Sequence, residues 1–311
     1  MSESLKQEGI QGGKGAASLE TPSGIRLEFA SEPKRQYKVN DEEVPSVTQI
    51  LDCLNKPALP WWGMGVGADG VLSLIKMGEF ALTPNPSATG FVGAIKDGDI
   101  WKFATKESLI DKLNEKKLTV NHVKEQAGDR GQNVHDALER WAVTGEMPDP
   151  KDFSFEEEGY VKALVGFIQD TDPEPVAIER MVGSAEHKFA GRFDLECMIN
   201  VEKEAVYKAL TTKGEPLKAG HRTARIPTGL YVLDLKTSKD VYYTHFLQGE
   251  GYEIGRRECG YDPSRFRGVI HCSKHGLYQL RVNYDKVGPE DFLAVRAVYD
   301  AQARAEKAVK S

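Results

Sequence analysis

Three segments between residues 174 and 238 constrain the fold more than anything else in the chain: "EPVAIERMVGS", "KFAGRFDLECMIN" and "TGLYVLDLKTS". Each reads as a strand. Amphipathic helical stretches surround them. "RGQNVHDALERWAVTG" sets Val134, Ala137, Leu138, Trp141 and Ala142 at helical spacing, and "FEEEGYVKALVGFIQD" is a second such helix. A helix over about 240–257, the strand-like "GVIHCS" and "LYQLRVNY", and the helix "EDFLAVRAVYDAQARAEKAVK" complete the order. Helices and strands in this sequence predict an α/β (α+β) sandwich on a mixed central sheet over residues 129–311.

Residues 1–20 are rich in Gly, Ser and Lys/Glu and read as a disordered tail. Residues 21–128 read as an N-terminal subdomain. "IRLEFA" and "RQYKV" predict a hairpin, and Ser46 is a helix N-cap before "VTQILDCL". The Gly- and Pro-rich residues 57–90 predict short helices and loops, and a charged helix follows, ending near Gly128. The 311 residues carry a net charge of −6, which weighs mildly against a nucleic-acid-binding role without excluding a locally basic cleft. No run is apolar enough to span a membrane, and the N-terminus has no apolar signal core, which leads to the expectation of a cytoplasmic protein. Cys53, Cys197, Cys259 and Cys272 form no CxxC pair and read as reduced, mostly buried thiols.

Side chains alternate faces along a strand. Phe193, Leu195, Cys197 and Ile199 therefore share one apolar face, with Asp194 pointing the other way. Tyr231, Leu233 and Leu235 share a face opposite Val232, Asp234 and Lys236. On neighbouring strands, Asp194, Asp234 and Lys236 converge. Two carboxylates so close repel unless a cation lies between them, and an oxygen-rich set favours Mg²⁺ or Mn²⁺. The Leu235 carbonyl adds a possible oxygen ligand. Lysine beside such a site can serve an attacking water or balance charge on phosphate. A lone DxK occurs by chance in many chains, and by itself it reads more readily as a surface salt bridge on a solvated sheet face. His135 lies at the edge of its helix's apolar stripe, placed to face a cleft. Gln248 and Tyr252 stand at i, i+4 on one helical face.

"RGQNVHDALERWAVTG", "AGRFD", "VLDLKTSK" and "QGEGY", in that order, resemble the motif set of the PD-(D/E)xK nuclease superfamily, in its RecB-like branch. The resemblance covers roughly residues 129–257. It implies a restriction-endonuclease-like core and hydrolysis of DNA phosphodiesters to 5′-phosphate and 3′-hydroxyl ends. An exonuclease of phage or bacterial recombination, repair or replication is the reading it favours over a structure-selective endonuclease or a non-cleaving DNA-end-binding module. It implies that His135, Asp194, Asp234 and Leu235 hold the metal, and that Asp194, Asp234 and Lys236 carry catalysis. Gln248 and Tyr252 would contact DNA, with Thr237, Ser238 and Arg130 beside them. Glu179, and less so Glu186, stand where some relatives place a further acid. The cysteines do not match the iron–sulfur staple of some relatives, so no cluster is expected. DNA is the expected partner, with a recombination or single-strand-binding protein as a further candidate.

Residues 203–228 carry an excess of Lys and Arg over acids and read either as a solvated insertion, such as a hairpin, or as a basic arm on phosphates. Lys239, Arg256, Arg257, Arg265 and Arg267 could extend that track. Trp61, Trp62 and Phe80 are either stacking surfaces for unpaired bases or packing residues.

Overall fold

The computed structural model describes residues 16–32, 35–54, 58–84, 87, 91–200, 203–210, 216–284 and 286–310. Contacts divide the chain into two compact units, Met1–Leu54 with Gly131–Ser311, and Asn55–Arg130. The fold is mixed α+β.

In the first unit, β1 (Ala17–Glu20), β2 (Arg26–Ala30), β3 (Gln36–Val39) and β4 (Glu42–Val44) form an antiparallel sheet in that order. The hairpin expected at β2 and β3 is present. Residues 17–20, read as part of a disordered tail, instead pair with β2, while residues 1–15 lie outside the described part. The short helix α1 (Val47–Leu51) starts at Ser46 with a reciprocal cap: Gln49 N–H donates to Ser46 Oγ at 3.1 Å, and Ser46 N–H donates to Gln49 Oε1 at 2.7 Å.

The 55–130 unit holds α2 (Ala58–Lys76), then β5 (Phe80–Pro84), β6 (Phe91–Asp97) and β7 (Ile100–Phe103), then α3 (Lys106–Glu115). The three strands form their own antiparallel sheet. Among the described residues of 57–90, the expected short helices and loops are thus one long helix and the start of a sheet. Five glycines and prolines within α2 hid it. Trp61 and Trp62 are exposed, and Phe80 is half-buried. Lys117 at φ 56° ends the charged helical stretch early. The next helix, α4 (Val120–Thr144), then runs unbroken through Gly128, where the sequence suggested a stop.

The rest of the first unit follows as α5 (Phe155–Thr171), β8 (Glu174–Ser184), β9 (Phe189–Ile199), β10 (Lys203–Leu210), β11 (Pro216–Ile226), β12 (Gly229–Lys236), α6 (Tyr243–Glu258), β13 (Phe266–Cys272), β14 (Tyr278–Val282) and α7 (Pro289–Lys310). The central sheet has the order β14-β13-β12-β9-β8. β12 lies parallel to β13 and antiparallel to β9, so it is the point where the sheet changes sense. β10 and β11 form a separate hairpin, which accounts for the long gap between Asp194 and Asp234. The basic side chains of residues 203–225 lie outside the described part.

Both faces of the central sheet are buried. On one, Val134, Leu138 and Trp141 of α4 and Leu164 and Phe167 of α5 pack with Leu195, Cys197, Ile199, Tyr231, Leu233 and Leu235. On the other, Val232, Phe193, Phe189, Leu247 and Tyr252 pack with Leu27, Tyr37 and Val39 of the small sheet. This second core is why residues up to Leu54 belong with the 131–311 unit and not with an N-terminal subdomain running to 128. A Cβ at Gly183 would meet Leu27 at 2.7 Å, so glycine lets the small sheet close on β8. The expected alternation holds for β12 throughout. In β9 it fails at Phe193, which joins the second core and faces Tyr252 at 6.1 Å. Strict alternation presumes continuous pairing, and the β9–β12 ladder ends at Leu195 opposite Leu233.

Candidate metal centre

The site lies where that ladder ends. One step past the last pair, the N–H of Leu235 donates to Asp194 Oδ2 at 2.5 Å. A side chain thus satisfies a strand amide, and Asp194 is held between β9 and β12. Asp194 Oδ1 faces His135 Nδ1 at 3.2 Å, so α4 delivers its histidine to the strand. Burial works against ionising Asp194, but His135, Lys236 and the Leu235 N–H outweigh it and lower its pKa. Burial also opposes charge on His135, and Asp194 reverses this, raising the imidazole to about 9. Leu235 engages the site through its N–H.

Asp234 is buried, with Oδ1 accepting from Gln248 Nε2 at 3.0 Å and Oδ2 in contact with the Lys236 ammonium. Burial pushes Asp234 up to about 6 against the pull of Lys236, and Asp194 adds to the rise. Burial disfavours the Lys236 ammonium, while Asp234 and Asp194 more than restore it and raise its pKa. Asp194, Asp234 and Lys236 therefore meet as their strand faces predict.

Gln248 Nε2 also donates to the Tyr252 hydroxyl at 2.7 Å. The i, i+4 pair is as the spacing suggests, but it points inward: Gln248 is 6% and Tyr252 3% exposed. What this pair visibly does is orient Asp234, and little of either side chain is open to a DNA strand. Ser238 Oγ donates to the Asp240 carbonyl at 2.7 Å, within the loop after β12. Thr237 lies in the same loop, half-buried, against Gly131 of α4. Arg130 is the last residue of the other unit.

Glu179 joins the site. It stands on β8 between the paired residues Ile178↔Leu195 and Arg180↔Phe193, which puts it across from Asp194. Its φ is 50°, left-handed backbone in mid-strand, and the two strands do not pair at that position. A non-glycine residue held there costs about 1–3 kcal/mol, and such strain gathers at functional sites. Arg192 Nε holds Glu179 Oε2 at 2.7 Å. Burial, then Asp194, raise Glu179 to about 7. Sequence reasoning misses Arg192, although it lies two residues before Asp194 in "AGRFD". Glu186, the other candidate acid, is in the turn joining β8 to β9. Its backbone N–H donates to Glu258 Oε2 at 3.2 Å, and it takes no part in this cluster.

One ligand atom each from His135, Glu179 and Asp194 lies within 4.8 Å of the others. Asp234 is not in that trio but is tied to it through Lys236 and the Asp194–Leu235 bond. Two carboxylates and an imidazole, with a third carboxylate alongside, fit a hard divalent ion, and the imidazole suits Mn²⁺ better than Mg²⁺. A second group, Glu186, His187 and Glu258, also has ligand atoms within 4.8 Å, but Glu186 is exposed and the others are half-buried.

The wider basic track is largely structural. Arg256 is fully buried against Glu196 and Glu253, Arg267 Nε binds Glu250 at 2.8 Å, and Arg257 Nε binds Glu253 at 2.9 Å. Arg265 donates to the Thr228 carbonyl at 2.8 Å. The four cysteines are free thiols, three of them buried. No helix among the described residues is long and apolar enough to cross a membrane. No protein-family model matches the chain, and no curated protein sequence matches it.

Proposed function

We propose that the chain is a metal-dependent deoxyribonuclease with a restriction-endonuclease-like core of the RecB-like type, acting as an exonuclease. The observation that carries this reading is convergence. His135, Asp194, Asp234 with Lys236, and Gln248 with Tyr252 come from four separate segments, and hydrogen bonds and ion pairs link them into one cluster. A structural ion pair or a DNA-end-binding module has no need of that set.

His135, Asp194 and Glu179, with Asp234 beside them, would hold Mg²⁺ or Mn²⁺. Bound there, the ion would polarise a phosphoryl oxygen and acidify water. Asp194 is fixed for this by the Leu235 N–H and Asp234 by Gln248, so neither carboxylate must reorganise as substrate arrives. Lys236 keeps its proton because two carboxylates face it, and it presents positive charge where the phosphate gains negative charge. The substrate in this reading is DNA.

The test is digestion of end-labelled single- and double-stranded oligonucleotides with Mg²⁺, Mn²⁺ or EDTA, by wild type and Asp234→Asn. Cleavage from an end that needs the metal and is lost in the variant supports the proposal. Metal-independent cleavage, or equal cleavage by the variant, overturns it. Binding of DNA ends without cleavage in either metal would favour the end-binding module.

A further inference from the structure

A buried histidine on β13 stands beside the lysine. β12 and β13 are parallel, and Lys236 is in register with His271. His271 is 3% exposed, and its Nε2 lies 2.7 Å from the carbonyl oxygen of Ser238. A carbonyl only accepts, so Nε2 carries the hydrogen. The other ring nitrogen, Nδ1, is buried with no hydrogen-bond partner among the described residues.

An unsatisfied buried acceptor disfavours imidazole at this position. Val269 and Ile270, just before it on the strand, are fully buried and apolar. An apolar side chain at 271 would fill the space without that penalty. What imidazole adds is its one bond, which ends two residues past Lys236. The other bonds described for this loop run within it. Ser238 Oγ donates to the Asp240 carbonyl, and the Val241 N–H donates to Asp240 Oδ1 at 2.8 Å. The His271 bond instead ties the loop to the sheet. From the other side, a Cβ at Gly131 would come within 3.3 Å of Thr237 Oγ1, so α4 closes tightly over the loop.

We infer that His271 is a positioning residue for Lys236. It pins the Ser238 carbonyl, and through it the backbone bend that sets where the lysine side chain leaves β12. The link to turnover rests on the nuclease reading above; the anchoring of the loop does not.

Two readouts separate these. The variants are His271→Phe, which keeps a ring but loses the donor, and His271→Gln, which keeps a donor near the Nε2 position. Hydrogen exchange of the 237–241 amides should speed up about tenfold or more in the Phe variant and return toward wild type in the Gln variant. With Mn²⁺ saturating, kcat on an oligonucleotide should fall about tenfold or more in the Phe variant, KM should stay within about twofold, and Gln should restore most of kcat. If Phe prevents folding, His271→Met carries the same comparison. Wild-type exchange rates in a folded variant without the donor would overturn the anchor. Faster exchange with unchanged kcat would overturn the link to turnover. Faster exchange in a protein that cleaves no DNA with either metal would uphold the anchor and refute the nuclease reading.

Discussion

Two clusters of buried and half-buried charge share β9 and α6 and are built to opposite ends. In one, Glu196 accepts from Arg180 at 2.8 Å and pairs with Arg256, while Glu253 accepts from Arg256, Arg257 and Ser264. Each of its carboxylates has guanidinium partners, whose charge is fixed at any ordinary pH. The other begins two residues earlier on β9 and one turn earlier on α6. There Glu179, Asp194 and Asp234 face Arg192, Lys236 and a histidine. Its third cation is an imidazole, which can give up its proton and offer a lone pair. The first cluster joins helix to sheet. The second holds a positive charge that a metal ion can replace.

The largest effect that would sharpen this contrast is on the matched side. Arg256→Met leaves Glu196 and Glu253 buried and short of partners, and should cost about 3–5 kcal/mol of stability in a denaturant titration. Asp194→Asn should cost much less, because it relieves repulsion with Glu179 and Asp234 and leaves behind an imidazole that can shed its proton. Equal losses would erase the distinction.

Next comes Lys236→Ala. Turnover should fall about 10²–10³-fold, with affinity for DNA and Mn²⁺ nearly unchanged, since the lysine acts mainly on the transition state. A parallel loss of DNA affinity would make it a binding residue.

Third is the pH dependence of metal uptake. The unperturbed histidine value places loss of activity below about pH 6.5. Asp194 moves that window, because His135 holds its proton up to about 9. In metal-free protein the raised pKa stabilises the fold below about pH 6.5, and this contribution fades as pH rises through about 9. Metal must displace the same proton. Apparent Mn²⁺ affinity should therefore rise about tenfold per pH unit from about 7 to 9, and more steeply below 7, where Glu179 at about 7 and Asp234 at about 6 also release protons. A flat profile would remove His135 from the ligand set.

The smallest effect concerns strain. Glu179→Gly relaxes the left-handed residue but loses the Arg192 pair, so the melting temperature should hold or rise slightly while Mn²⁺ affinity falls about 10–100-fold. A marked drop in melting temperature with intact metal affinity would make Glu179 a structural acid.

Much of the core of this site is legible in the sequence, because it rests on local periodicity. Strand alternation puts Asp234 and Lys236 on one face, and helical spacing puts His135 at the edge of its apolar stripe. What local pattern does not encode stays hidden. The end of the β9–β12 ladder, which moves Phe193 to the other core and frees Asp194 to accept from Leu235, depends on pairing between distant strands. The left-handed backbone at Glu179 has no sequence signal, since glutamate is no marker of positive φ. The inward turn of Gln248 and Tyr252 follows from α6 packing on β8, β9, β12 and β13. Arg256 and Arg267 look like surface cations in sequence because their acidic partners are remote. The strand at 17–20 was masked by a polar composition that edge strands tolerate.

If the proposed metal centre is right, the second cluster takes a divalent ion and the first does not. Mn²⁺ titration followed by water-proton relaxation, on wild type, Asp194→Asn and Glu196→Gln at pH 8, tests it most directly. Binding should be saturable in wild type, retained in a folded Glu196→Gln protein, and weakened at least about tenfold in Asp194→Asn. Equal Mn²⁺ affinity in wild type and Asp194→Asn would contradict it.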